Sequence, residues 1–209
     1  MYNPAAFRET RPEMLEAILA AHPLATLVTC GTNGLEATHL PLLYYPQENA
    51  LRGHVARANP HWQQIADRGE ALAIFSGPQH YVSPAWYPSR GEHGRVVPTW
   101  NYVAVHARGR LAVHHEPEWL LENVSALTDA QEQGIPNPWR VAEAPPDFIE
   151  NSLRAIVGIE LKVKSLEGKW KVSQNRTMPE REGVIAGLEG LGTSEAHRMA
   201  ELVRAAIQR

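Results

Sequence analysis

Apolar residues near the start of the chain recur with a helical period. Met14, Leu15, Ile18 and Leu19 share one face behind a Thr10/Glu13 capping box, and His22-Pro23 closes the segment. The period then shortens to two. LATLVTC (24–30) and LEATHLPLL (35–43) flank Gly31-Thr32-Asn33-Gly34, and Asn-Gly between two apolar runs predicts an antiparallel hairpin. A third strand over 51–56 runs into Asn59-Pro60, a favoured N-cap and first helical residue, which predicts a short helix over 60–68 closed by Gly69. ALAIFSG (71–77) reads as a buried strand. The stretch from Pro78 to Pro98 is irregular, and a long strand follows over 99–114, with Gly109 marking a bulge.

Pro117 opens a helix carrying Trp119, Leu120, Val124 and Leu127, and a further helix covers 145–156. Residues 158–164 alternate Ile159, Leu161 and Val163 with Glu160, Lys162 and Lys164, the pattern of a half-buried strand. The tail reads as two helices. A second capping box, Thr177 to Glu180, opens the first, and Gly190-Leu191-Gly192 separates it from the other over 194–208. Antiparallel strands dominate, with helices at the ends and in one long crossover. This predicts a mainly β, α+β chain: an antiparallel β-barrel over 1–176, with a helical hairpin over 177–209 packed on it. No strand leads into G-x-G-x-x-G or a P-loop, so a Rossmann cofactor site is not expected.

Composition narrows the function. The 209 residues are 44% hydrophobic, enough for a proper core, and a net charge of −3 offers no general attraction to nucleic acid or anionic membrane. The N-terminus has no apolar signal region and no apolar run approaches a membrane span. The single cysteine, Cys30, excludes an intrachain disulfide and is expected as a small core residue; together these features predict a cytoplasmic protein. The ten histidines form no H-x-x-x-H or H-E-x-x-H pair, and no metal site is expected.

Three stretches carry candidate chemistry. In LRGHVARANPHWQQI (51–65) Arg52, His54, Arg57 and His61 fall where no acidic residue occurs between Glu48 and Asp67. Arg52 and His54 share a strand face, and Arg57 follows just before the helix start at Asn59-Pro60, an arrangement suited to a phosphomonoester. The same residues also suit a solvated basic edge with an ordinary helix cap. In THLP (38–41), His39 reads either as a ligand partner or as a satisfied core histidine. In GKWKVSQNR (168–176), Trp170 stands between Lys169 and Lys171 with Gln174, Asn175 and Arg176 behind, which fits a flat heterocycle with carbonyl edges or a basic exposed loop.

The strings ATLVT, THLPLL, LRGHVARANP, YVSPAWYPS, VPTWNYVAVHARGRL, FIENSLRAIVGIE and GKWKVSQNR, in this order over roughly 1–190, resemble the PaiB family of FMN-binding proteins, often called negative transcriptional regulators. The resemblance implies an FMN-binding split β-barrel, dimeric, with FMN at the interface of the homodimer. By this analogy Arg52, His54, Arg57 and Asn59 hold the phosphate and ribityl chain. Thr38, His39 and Leu40 line the isoalloxazine edge, while Trp170, Lys171 and Arg176 approach the ring, Trp170 and Arg176 from the partner subunit. Where relatives often carry Lys or Ser in the phosphate strand, this chain has Ala56 and Ala58, which leaves part of that role to backbone N–H groups.

Two uses of the flavin follow from the resemblance. In one it is a sensor or structural ligand of a regulator; the helix–Gly turn–helix tail, with Arg198, Arg204 and Arg209, is the segment that could meet DNA. In the other the chain is a flavin-dependent oxidoreductase, with Lys171 or Arg176 as the cation beside the reduced ring; no catalytic acid or nucleophile stands out.

Overall fold

The computed structural model describes residues 1–31, 34–65 and 69–207. Thr32 and Asn33 of the expected hairpin turn, 66–68 of the expected short helix, position 208 and Arg209 lie outside the described residues. The elements in chain order are β1 (Arg8–Glu9), α1 (Pro12–Ala21), β2 (Leu24–Gly31), β3 (Gly34–Pro41), β4 (Leu43–Tyr45), β5 (Ala50–Ala56), α2 (His61–Ile65) and β6 (Glu70–Val82). Then come α3 (Ser89–Glu92), β7 (Thr99–His114), α4 (Pro117–Glu132), α5 (Pro146–Arg154), β8 (Ile156–Lys171), α6 (Met178–Glu189) and α7 (Ser194–Ala205). This is the expected α+β class. The eight-stranded sheet runs β3-β2-β6-β7-β8-β5-β4, with β1 on β8, and it is not closed: β3 and β4 end it. No described helix is long and apolar enough to cross a membrane.

The chain condenses into two compact units, Glu16–Phe75 with His106–Leu166, and Met1–Leu15 with Ser76–Val105 and Glu167–Arg209. The C-terminal hairpin therefore shares a unit with parts of the sheet. In the first unit β2 pairs antiparallel with β3 from Leu24↔Pro41 to Gly31↔Gly34, and with β6 from Thr26↔Ile74 to Thr29↔Ala71. β5 pairs with β8 from Ala50↔Lys162 to Ala56↔Ile156. The alternation read from the sequence follows from these pairings: Ala25, Leu27, Leu51, Val55, Ala73, Phe75, Ile159 and Leu161 all face the core.

Three boundaries differ from expectation, each for a local reason. The run 35–43 is two strands, because Pro41 has no N–H for a ladder and the Leu42 N–H turns to the Pro23 carbonyl, 2.9 Å away. β6 continues through Pro78 to Val82, so the irregular stretch starts later than the Pro and Gly content suggests. β8 runs to Lys171 and takes Gly168, Lys169 and Trp170 into buried strand rather than exposed loop. Cys30 is exposed, not core, since it sits on the outward side of β2 beside the hairpin end.

In the second unit, α6 opens on the expected Thr177/Glu180 capping box. Its Gly183 and Gly187 lie so close to Trp86 that a Cβ at either would collide with it. α7 buries Ala196, Met199, Ala200 and Val203.

Close approach also dictates two glycines of the first unit. A Cβ at Gly109 would meet the Lys162 carbonyl, and one at Gly158 would enter the Trp119 ring. Gly109→Ala and Gly158→Ala are each expected to lower stability in urea unfolding by about 1–3 kcal/mol. Gly91→Ala, with open space around it, should change it by less than about 0.5 kcal/mol.

Candidate functional site

The polar side chains on the β2–β3 hairpin organise around one histidine. His61, first residue of α2, is 1% exposed, and its ring lies between two threonines. Nε2 is 2.7 Å from Thr29 Oγ1 and Nδ1 is 2.8 Å from Thr38 Oγ1. Asn59 completes the chain: its Nδ2 donates to Thr38 Oγ1 at 3.2 Å, and its Oδ1 accepts from the His61 N–H at 2.9 Å. Donation can run from Asn59 to Thr38, from Thr38 to His61 Nδ1, and from His61 Nε2–H to Thr29, so that both ring nitrogens are paired. Burial pushes the His61 imidazole below its ordinary value, partly opposed by Glu36, and so keeps it neutral. The network ties α2 to the edge strand and sets Thr38 half-buried on it. His39 is exposed, not a core residue, and its Nδ1 is 3.0 Å from Thr26 Oγ1. The Leu40 side chain is core, 2% exposed, so only its main chain can face a ligand.

Arg57 stands at the end of β5. Its Nε donates to the Arg154 carbonyl at 2.7 Å and its Nη2 to the Ile156 carbonyl at 2.8 Å. Trp62 Nε1 donates to the Arg57 carbonyl at 2.9 Å, and the Trp62 ring meets His115 edge-on at 5.4 Å. The guanidinium is thus held by neutral acceptors, and among the described residues no carboxylate pairs with it. A fixed, exposed, uncompensated cation with donors to spare fits a phosphate.

Arg52 and His54 are placed differently. Arg52 Nε donates to Glu160 at 2.7 Å, its Nη2 pairs with Glu48, and its guanidinium lies 4.5 Å from the Tyr45 ring centre. Burial pushes the Glu160 carboxyl up, but hydrogen bonds from Arg52 and Lys162 outweigh it and hold the group below the usual carboxylate range. The charge of Arg52 is therefore consumed within the fold. His54 faces α4, its Nδ1 3.3 Å from Asn123 Nδ2, and takes no part in the His61 network.

Trp170, Lys171 and Arg176 belong to the second unit. Trp170 is 3% exposed, and its buried Nε1–H has no partner among the described residues. Lys171 Nζ donates to the Trp100 carbonyl at 2.7 Å and to Thr99 Oγ1. Burial, then the charges of Lys169 and Arg176, push its ammonium below the ordinary lysine value. The Arg176 guanidinium lies 4.6 Å from the Tyr87 ring centre. Sequence reading named His61 only as part of a basic run and missed Thr29. A histidine directly after Asn-Pro, at the buried start of a helix, was the available signal.

Comparison with known proteins gives a consistent picture. The profile of the family described as "Putative FMN-binding domain" matches residues 1–165. The chain is 32% identical to the protease synthase and sporulation protein PAI 2 of Bacillus subtilis, over 97% of this chain and 96% of that one. Two solved structures share the fold: a flavocytochrome, Anf3, from Azotobacter vinelandii (TM-score 0.59, 16% identity, 78% of this chain and 69% of that) and a FAD and heme binding protein from Mycobacterium smegmatis (TM-score 0.59, 18% identity, 78% and 73%). The split-barrel resemblance read from the sequence is borne out.

Both His54 and His61 have folded-state pKa values depressed by burial, so between those values and the ordinary 6.5 the unfolded chain binds more protons. Stability is expected to fall as pH drops below about 6.5 and to be fully present above it. Urea midpoints measured from pH 8 to 5 should show this decline, with a shallower slope in His61→Gln.

Proposed function

The chain belongs to the FMN-binding domain family, with FMN as its cofactor, and on that premise we propose that it seats the flavin phosphate at Arg57 and uses the ring as a redox centre. One observation carries the placement: Arg57 is a cation pinned by two backbone carbonyls and, among the described residues, left without a carboxylate, whereas Arg52 is neutralised by two. Asn59 and Thr38, joined through the His61 network, continue the polar surface toward the ribityl chain. His39 and the outward main chain of β3 meet the ring edge.

The ring is completed by a second copy of the chain in a homodimer. The open edge at β3 supports this, with Gly34 to Ala37 and His39 all exposed and Leu35 79% exposed. In this arrangement Lys171 and Arg176 of the partner supply positive charge, and buried Trp170 positions Lys171 rather than touching the ligand. Bound FMN supplies one- or two-electron transfer. A cation held at the ring favours its electron-rich, reduced state.

A regulatory use of the same flavin is the second reading, with the B. subtilis relative named for protease synthase and sporulation. Direct DNA contact through the tail is less well supported, because α7 spends its apolar face on packing and Arg204 is paired with Glu189.

Arg57→Ala is expected to weaken FMN binding by about 10–100-fold in a fluorescence titration, the loss of charge-assisted hydrogen bonds to phosphate. Arg52→Ala should instead lower the urea midpoint and leave FMN affinity within about twofold. Unchanged affinity in Arg57→Ala overturns the placement. For the redox use, FMN-loaded protein should oxidise NADH or NADPH, and Lys171→Met should make the flavin midpoint potential more negative. Absence of turnover with either donor, together with salt-dependent retardation of promoter DNA, would favour the regulator.

A further inference from the structure

A cavity in the first unit meets the Arg57 anchor only through Ile156, whose carbonyl holds the guanidinium, and contains none of the residues placed at the flavin above. Its volume is about 330 Å³, at the small end of ligand pockets, and it is lined by His54, Leu127, Trp139, Phe148, Ile149 and Leu153, among others. These residues come from β5, α4, α5 and the segment before α5, and among the described residues no charged side chain lines it. Trp139 and Phe148 are 44% and 60% exposed, which places them at its rim.

Within this apolar lining His54 is a directed polar group. The Asn123 amide nitrogen, only a donor, sits 3.3 Å from His54 Nδ1. With the Asn123 amide so oriented, Nδ1 accepts and Nε2 carries the ring proton, and Nε2 has no partner among the described residues. Burial alone pushes the imidazole down and keeps it neutral.

We propose that this cavity binds a small uncharged aromatic compound with one hydrogen-bond acceptor, its ring among Leu127, Ile149 and Leu153 and its acceptor on His54 Nε2–H. The class follows from the lining. The volume limits the ligand to a one- or two-ring compound, the absence of charge rejects an anion or cation whose desolvation would go unpaid, and the His54 imidazole, beside the Thr128 hydroxyl and with Ser152 already donating to the Phe148 carbonyl, favours a carbonyl or similar acceptor.

The test uses full-length, FMN-saturated protein and calorimetric titration with 2-acetylnaphthalene, with naphthalene and 2-naphthoate as comparison probes. The ketone should bind saturably with a Kd below about 1 mM, and the carboxylate at least tenfold more weakly. Ser152 lines the cavity yet is exposed, so Ser152→Trp should plug it without repacking the core and lower ketone affinity more than tenfold. His54→Phe should weaken the ketone about tenfold while changing naphthalene less than twofold, and His54→Gln, which keeps a donor, should recover most of the loss. Failure of the ketone to bind overturns the site. So does equal binding of the carboxylate, or a His54→Phe effect common to ketone and naphthalene. Displacement of the ketone by FMN would mean that the cavity is the flavin's own, whereas loss of FMN binding in Arg57→Ala leaves this proposal untouched. If His54→Phe does not fold, the Ser152→Trp titration decides.

Discussion

The antiparallel pairing of β5 with β8 joins residues about a hundred positions apart and sets much of the chemistry of the first unit. Its register puts Arg52 opposite Glu160 and His54 opposite Gly158, and it brings the end of β5 against Ile156. Arg52 is thereby committed to an ion pair in which Glu160 is largely buried, a geometry in which removing either partner would leave an uncompensated charge. At the end of the same ladder Arg57 meets carbonyls instead of carboxylates. Two arginines five residues apart thus receive opposite roles from a single strand pairing.

That contrast is what the proposed phosphate seat at Arg57 rests on. A guanidinium held by main-chain oxygens loses conformational freedom without losing its charge, so binding phosphate costs little further ordering. The His61 network performs the complementary task on the other side of Asn59. Its neutral ring ties two threonines and the start of α2 together by hydrogen bonds alone, with no ionised group in the network itself. Gly158, kept bare by the Trp119 ring, lets α4 pack close over β8.

Local order was readable where local physics governs it. The helix limits at His22-Pro23 and at Thr177/Glu180 follow from backbone sterics and capping, and β7 matches the expected 99–114 because its alternation is long and uninterrupted. Misreadings arose where a tertiary contact overrode a local signal. Pro78 reads as a strand end although β6 continues past it, and of the two readings of 168–176 the basic exposed loop fails because β8 takes Lys169 and Trp170 into buried strand. The basic run 51–65 seemed free of acids because a count along the chain cannot register Glu160, which is remote in sequence and adjacent in space.

The sequence by itself determined the α+β class, the order of the elements and the resemblance to FMN-binding split barrels. Each of these rests on periodicity, turn chemistry and ordered motifs carried by neighbouring residues. The tertiary structure decided which cations keep their charge, which histidines are neutral, and whether a named residue faces solvent, core or cavity. Charge compensation and burial are properties of residues brought together across the fold, so Arg52 and Arg57, alike in the sequence, became different only when β5 found β8.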